Sequence, residues 1–198
     1  MKHPALFLDR DGTINAEVDF LTNPDELHIL PGTLPALRDA MALGFRLVII
    51  TNQSGIARGM LTEERLQQIH ETLRHRLHAD GVAIDGIYYC PHHPDEGIAP
   101  YRTVCDCRKP KPGMLERAAR ELDLDLGRSF LIGDRMIDIQ TGNALGIPSL
   151  LVRTGYGAAE ADACKAGGVP VAFVAEDLRG AVDHIRILLH EPHAVSRR

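Results

Sequence analysis

The sequence predicts an α/β fold: a doubly wound parallel sheet with helices on both faces. Three observations predict it. Short apolar runs alternate with helical patterns along most of the chain. Runs such as Leu47-Val48-Ile49-Ile50 are continuously apolar, as strands buried on both faces require. Helix-length segments separate the runs, and a βαβα order calls for parallel strands joined by crossover helices.

The expected strands are Ala5–Leu8, Arg46–Thr51, Gly86–Cys90, Ser129–Gly133, Ser149–Val152 and Val171–Val174. A helix over Thr33–Leu43 follows Pro31-Gly32 and stops at Gly44. A second, Thr62–Ala79, opens on a capping threonine and carries Leu66, Ile69, Leu73 and Leu77 on one stripe. His70, His75 and His78 of that helix are read as a solvated face. Further helices are expected over Gly113–Leu122, Asp134–Leu145 and Asp177–Leu189. Two stretches resist the alternation. Asn15–Leu30 is polar and irregular, and Cys90–Pro112 holds five prolines, three cysteines and two histidines. Loops this long in a compact domain are functional or held by something. Residues 1–190 are expected to form one domain, and 191–198 a frayed tail.

The 198 residues suffice to bury a core without staples. A net charge of -5, no tryptophan and 5% aromatic residues argue against a nucleic-acid partner, which wants a basic face with aromatics. No apolar run approaches the roughly 20 residues of a membrane span. The apolar run after Met1 is too short for a signal-peptide core. A cytoplasmic location is expected, with no membrane partner and a monomeric chain.

Four motifs sit where strands end or helices begin. Asp9 and Asp11 follow the first strand in "FLDRDGTIN"; Thr51-Asn52-Gln53-Ser54-Gly55 ends the second; "RKPKPG" carries Arg108 and Lys109; "GDRMID" carries Asp134 and Asp138. In open α/β sheets, ligands bind outside these carboxyl ends. Clustered carboxylates suit Mg²⁺, small hydroxyl residues and glycine at helix starts suit a phosphate, and a lysine supplies a point charge for it. Each motif alone has a bland reading. Asp-Gly-Thr is a turn, and Asp134 an N-cap. The four together, in order, favour chemistry.

Cys90-x-His92 and Cys105-x-Cys107 offer a Cys₃His set for zinc, at spacings tighter than the usual finger. The alternative is three buried thiols beside exposed histidines. The proline-rich, apolar-poor segment needs a source of order, which favours zinc. Cys164 stands apart and receives no role.

"DRDGT", "TNQSG", the Lys-Pro motif and "GDRMID" resemble the four motifs of the haloacid dehalogenase phosphatase superfamily, from Leu6 to about Gly157. Within it, "TNQSGIARG", "YYCPHHP", "CDCRKPKPGM" and "VRTGYG" are similar to the heptose 1,7-bisphosphate 7-phosphatases, with histidinol-phosphate phosphatases as nearest relatives. The resemblance implies a Rossmann-like sheet with a minimal cap and a zinc-stapled loop. It implies that Asp9 attacks phosphorus and that Asp11 protonates the leaving oxygen, then activates water. Mg²⁺ would be held by Asp9, the Asp11 backbone carbonyl and Asp134, with Asp138 bracing that site. Thr51, Asn52 and Lys109 would hold the transferring phosphoryl group, and structural Zn²⁺ would sit on Cys90, His92, Cys105 and Cys107. Arg10 would point away or touch substrate. Nearby negative charge is expected to raise the Asp11 pKa and keep it protonated. Arg108 is a candidate for a distal phosphate, with Arg135, Ser54 and Arg58 near the mouth. The expected activity is Mg²⁺-dependent removal of the 7-phosphate from a small phosphorylated sugar through an aspartyl-phosphate. The alternatives are a histidinol-phosphate phosphatase, a DNA 3′-phosphatase or a non-catalytic zinc-stapled binding module.

Overall fold

In the computed structural model, which describes residues 2–190, strands β1 (Ala5–Leu8), β2 (Arg46–Asn52), β3 (Gly86–Cys90), β4 (Phe130–Gly133), β5 (Ser149–Val152) and β6 (Phe173–Ala175) form one sheet. All its pairings are parallel, in the order β3-β2-β1-β4-β5-β6. The tail expected at 191–198 lies outside the described residues. The crossovers carry helices α1 (Thr33–Ala42), α2 (Glu63–Ala79), α3 (Gly113–Glu121), α4 (Met136–Asn143) and α5 (Gly157–Ala166), with α6 (Leu178–His190) last.

Side chains of β1 and β2 alternate between the two faces. Leu6, Leu8, Leu47 and Ile49 pack under α1, α2 and α6. Ala5, Phe7, Val48 and Ile50 pack under α3. This is why both runs read as continuous apolar blocks rather than alternating ones. Thr62 caps α2 by accepting from the Arg65 N–H at 3.2 Å, and Glu63 and Glu64 favour its N-terminal end.

The irregular stretch after β1 is tied down despite lacking long elements. The Leu30 N–H donates to Ile14 O at 3.0 Å and the Ala16 N–H to His28 O at 2.8 Å. Arg76 of α2 donates to Leu27 O. A short 3-10 turn over Pro24–Glu26 was not anticipated, nor one over Leu126–Arg128.

Three expectations need correction. Helix α5 is absent from the sequence reading, because "GAAEADACKA" has no apolar stripe; only Gly157 and Cys164 of it are buried. Cys164 fills a small cluster with Ile139 and Leu151. Helix α4 begins at Met136 rather than Asp134. Asp134 is therefore no N-cap: Arg135 occupies that position in extended conformation, and its N–H donates to Asp138 Oδ2 at 3.0 Å. Finally, β6 runs two residues later than Val171.

Candidate active site and zinc loop

The carboxyl ends of β1, β2 and β4 converge where the strand order reverses on either side of β1. A cavity of about 260 Å³ opens there, lined in part by Asp9, Asp11, Thr51, Asn52 and Lys109. The Asp9 N–H donates to Ile132 O at 2.9 Å, so the neighbouring strand fixes the start of the turn.

Asp9, Asp134 and Asp138 bring one carboxylate oxygen each to within 4.8 Å of one another, all three side chains being buried. Lys109 enters this acidic group. Its Nζ lies 2.7 Å from Asp9 Oδ1, 2.6 Å from Asp138 Oδ1 and 3.1 Å from Ile50 O. Burial disfavours the ammonium, but Asp138 and Asp9 outweigh it and hold Lys109 charged, above its ordinary range. Asn52 secures the lysine's backbone: its Oδ1 accepts from the Lys109 N–H at 3.1 Å, and its Nδ2 donates to Lys109 O at 3.2 Å.

One lysine does not balance three buried carboxylates. Burial pushes Asp9 up to about 7 against the pull of Lys109, with Asp138 and Asp11 adding to the rise. Burial, then Asp9 and Asp138, push Asp134 up to about 8. Asp134 Oδ2 accepts from the Tyr156 N–H at 2.9 Å, while its Oδ1 is buried with no hydrogen-bond partner. An orphaned oxygen in an acidic, oxygen-only cluster fits a hard divalent cation such as Mg²⁺. Both oxygens of Asp138 are engaged, by Lys109 and by the Arg135 N–H. Gly12 (φ +79°) and Gly155 (φ +56°) bring bare backbone against Asp134, since a Cβ at either would fall 2.2 Å from Oδ2.

Asp11 is turned out of this cluster. Its Oδ1 accepts from Arg10 Nε at 3.0 Å and from Asn15 Nδ2 at 2.9 Å. Its Oδ2 accepts from Arg10 Nη2 at 2.6 Å and from Gln53 Nε2 at 3.0 Å. Burial pushes its pKa up, but the Arg10 charge and the hydrogen bonds from Arg10, Asn15 and Gln53 outweigh burial and lower it. The expectation of a raised pKa is thereby corrected: the acidic neighbours sit with Lys109, and Asp11 has its own counter-charge. Arg10 does point away from the cavity, yet it is fully enclosed rather than solvated, and its Nη1 lies 3.2 Å from His70 Nε2. His70 is buried, against its reading as solvated; His75 and His78 are exposed. Asn15 and Gln53, both inside quoted motifs, had no assigned role. Residue types alone do not reveal that their amides face one carboxylate.

Arg58, Arg108, Arg135 and Ser54 also line the cavity. Arg108 Nη1 donates to His92 O at 3.1 Å, which ties it to the zinc loop. Arg135 stacks 4.7 Å above the Tyr156 ring, and Arg58 pairs with Glu96. Glu17, Asp19 and Tyr156 also line the mouth, with Tyr156 Oη donating to Asp19 Oδ1 at 2.9 Å. Glu17 and Asp19 belong to the polar, irregular stretch, which has no chemical pattern of its own; Tyr156 lies inside the quoted "VRTGYG" but had no assigned role.

Cys90, His92, Cys105 and Cys107 converge. Contacts among their ligand atoms include Cys107 Sγ to Cys90 Sγ at 3.1 Å and Cys90 Sγ to His92 Nδ1 at 3.7 Å. Tetrahedral ligands about 2.3 Å from a metal lie about 3.8 Å apart, whereas a disulfide needs about 2.05 Å, so the set fits zinc and no cysteine pair is bonded. His93 stays outside the cluster and accepts from the Glu96 N–H at 2.9 Å.

A buried lysine among carboxylates at the switch point of a parallel sheet is the arrangement of the haloacid dehalogenase-like hydrolases. A HAD-hydrolase-like family model matches residues 106–181. A D-glycero-beta-D-manno-heptose-1,7-bisphosphate 7-phosphatase from Yersinia pestis is 46% identical over 153 residues, 77% of this chain and 81% of the relative. The enzyme of that name from Escherichia coli K12 is 45% identical over 77% of this chain and 80% of the relative. Among solved structures, a D,D-heptose 1,7-bisphosphate phosphatase from B. bronchiseptica, complexed with magnesium and phosphate, superposes with a TM-score of 0.81 at 36% identity, covering 93% of this chain and 98% of that one. The chain belongs to the D-glycero-β-D-manno-heptose-1,7-bisphosphate 7-phosphatase family of haloacid dehalogenase-like hydrolases.

Proposed function

We propose that this protein is a Mg²⁺-dependent phosphatase that removes the 7-phosphate of D-glycero-β-D-manno-heptose 1,7-bisphosphate through an aspartyl-phosphate on Asp9. The observation that carries this reading is the Asp9–Lys109 pair at 2.7 Å, beside Asp134 and beneath a mouth holding three arginines. The β anomer is adopted from the names of the relatives.

The residues divide the work as follows. Asp9 attacks phosphorus and forms a P–O bond, while the bond from phosphorus to the sugar oxygen breaks. Asp11 gives that oxygen its proton. Asp11 then takes a proton from water, which attacks the phosphorus, frees phosphate and restores Asp9. The donor cage around Asp11 favours the ionised form, the one needed for this second step. A negatively charged phosphate arriving alongside raises its pKa for the first. Lys109, Thr51 and Asn52 orient the phosphoryl group, since phosphoryl transfer depends mainly on positioning and charge stabilisation. Mg²⁺, held by Asp9, the Asp11 carbonyl and Asp134, would supply charge neutralisation at the phosphoryl oxygens. Asp138 braces Lys109 and the Arg135 backbone.

Arg108 is assigned to the distal phosphate, where a planar fork suits a dianion; Arg135, Ser54 and Arg58 complete the mouth. Zn²⁺ on the four loop ligands is structural, because a closed Cys₃His set leaves no position for substrate. Residues 1–190 are taken as one domain, acting as a monomer in the cytoplasm without a nucleic-acid partner. No helix among the described residues is long and apolar enough to cross a membrane.

The test is phosphate release from the β-heptose 1,7-bisphosphate and from histidinol phosphate, side by side, with and without Mg²⁺. Mg²⁺-dependent release that strongly favours the heptose is expected. A preference for histidinol phosphate would overturn the substrate assignment and leave the nucleophile in place.

A further inference from the structure

The Arg10–His70 contact serves no packing need that an apolar residue could not meet. His70 lies on the sheet-facing stripe of α2, among Leu66, Ile69, Leu73 and Leu77. A leucine there would fill space without bringing a polar ring into the core. Instead the ring tilts against Tyr89, 5.9 Å away, and presents Nε2 to Arg10 Nη1 at 3.2 Å. Two N–H donors cannot face each other, so His70 is neutral here, with its proton on Nδ1. Burial first, then Arg10 and Arg74, hold its pKa down at about 3 against the pull of Asp11.

A guanidinium is a rigid planar fork. With Nη1 anchored on His70, the edge bearing Nε and Nη2 faces Asp11 and grips both carboxylate oxygens, at 3.0 and 2.6 Å. We propose that His70 is a positioning residue for proton transfer, acting through Arg10 to fix the orientation of the Asp11 carboxylate. The proposal rests on the reading of Asp11 as acid and base. The structural alternative is a core histidine that merely satisfies Arg10.

The two esters that separate these readings differ in their leaving groups. A sugar alkoxide needs a proton to depart, whereas the phenolate of p-nitrophenyl phosphate does not. kcat/KM reports the steps through cleavage of the ester bond, so it isolates the acid role from the later use of Asp11 as base. Wild type, His70→Leu, His70→Gln and Asp11→Asn are compared on heptose 1,7-bisphosphate and p-nitrophenyl phosphate at saturating Mg²⁺, after melting curves establish folding. His70→Leu is expected to lower kcat/KM for the sugar ester by about 10- to 100-fold and for the aryl ester by less than about threefold. His70→Gln, which restores an acceptor oxygen, should recover most of the loss. Equal losses on both esters, or no loss on either, would overturn the proposal. An Asp11→Asn variant without the ester contrast would instead remove the reading beneath it. Should His70→Leu fail to fold, His70→Thr, too short to reach Arg10, carries the same comparison.

Discussion

Arg10 and Lys109 divide the two aspartates of the β1 turn between them. Lys109 neutralises Asp9 on the side where Asp134 and Asp138 gather, and Arg10 neutralises Asp11 on the side of α2. The repulsion that two carboxylates so close in sequence must feel is thus met by two separate cations. Lys109 was legible as a partner through the family resemblance of its Lys-Pro motif, which implies a lysine beside the aspartates. Arg10 was not. A residue flanked by two acids on a strand end gives no sign of which face it takes, and the answer lies in His70, sixty residues away. A consequence follows for acid stability. The ordinary histidine pKa is near 6.5, and in the folded chain His70 titrates at about 3. Between these values the unfolded chain binds the proton and the native one does not, so stability falls as pH drops from about 6.5 toward 3. His70→Gln removes this contribution. Melting temperatures measured from pH 7 to pH 5 should therefore decline more steeply for wild type than for His70→Gln; parallel declines would contradict the buried neutral ring.

At the scale of elements, turns and loops rather than strands set the site geometry. Gly12 carries positive φ directly beneath Asp134, and alanine there meets both backbone strain and the carboxylate. Gly12→Ala should cost about 1–3 kcal/mol of stability, read from urea unfolding, and lower activity with it. The Cys₃His loop is connected to the site through the chain. Cys107 lies two residues before Lys109, and Arg108 donates to His92 O, so order imposed by a metal on the loop would carry to both cations. Stripping zinc with a chelator is expected to lower melting temperature and phosphate release together, with recovery of both on adding Zn²⁺. Retained activity in zinc-free protein would show that the loop does not aim Lys109. The strands and most helices were legible because period and caps agree with burial. Helix α5 was not, since an Ala-rich segment that buries only its first residue and one cysteine leaves no stripe to read.

At the scale of the whole molecule, the strand order explains why motifs scattered over more than a hundred residues share one cavity. Placing β1 between β2 and β4 brings the ends of the first, second and fourth strands together, and the loop after β3 folds back to deliver Lys109. The parallel order was legible from alternation alone. The convergence was inferred from the rule that ligands bind at carboxyl ends. The mouth was less legible: Glu17 and Asp19 reach it from an irregular stretch whose sequence carries no chemical signature, and Tyr156 from a quoted motif that gave it no role.

A phosphoryl group carried by Asp9 can be trapped. A single turnover with heptose 1,7-bisphosphate and Mg²⁺ is quenched in acid and reduced with borohydride, which converts an acyl phosphate to an alcohol. Homoserine is expected at position 9 by peptide mass, absent from Asp9→Asn, which should also release no phosphate. Homoserine at position 11, or phosphate released by Asp9→Asn at the wild-type rate, would contradict the Asp9 assignment.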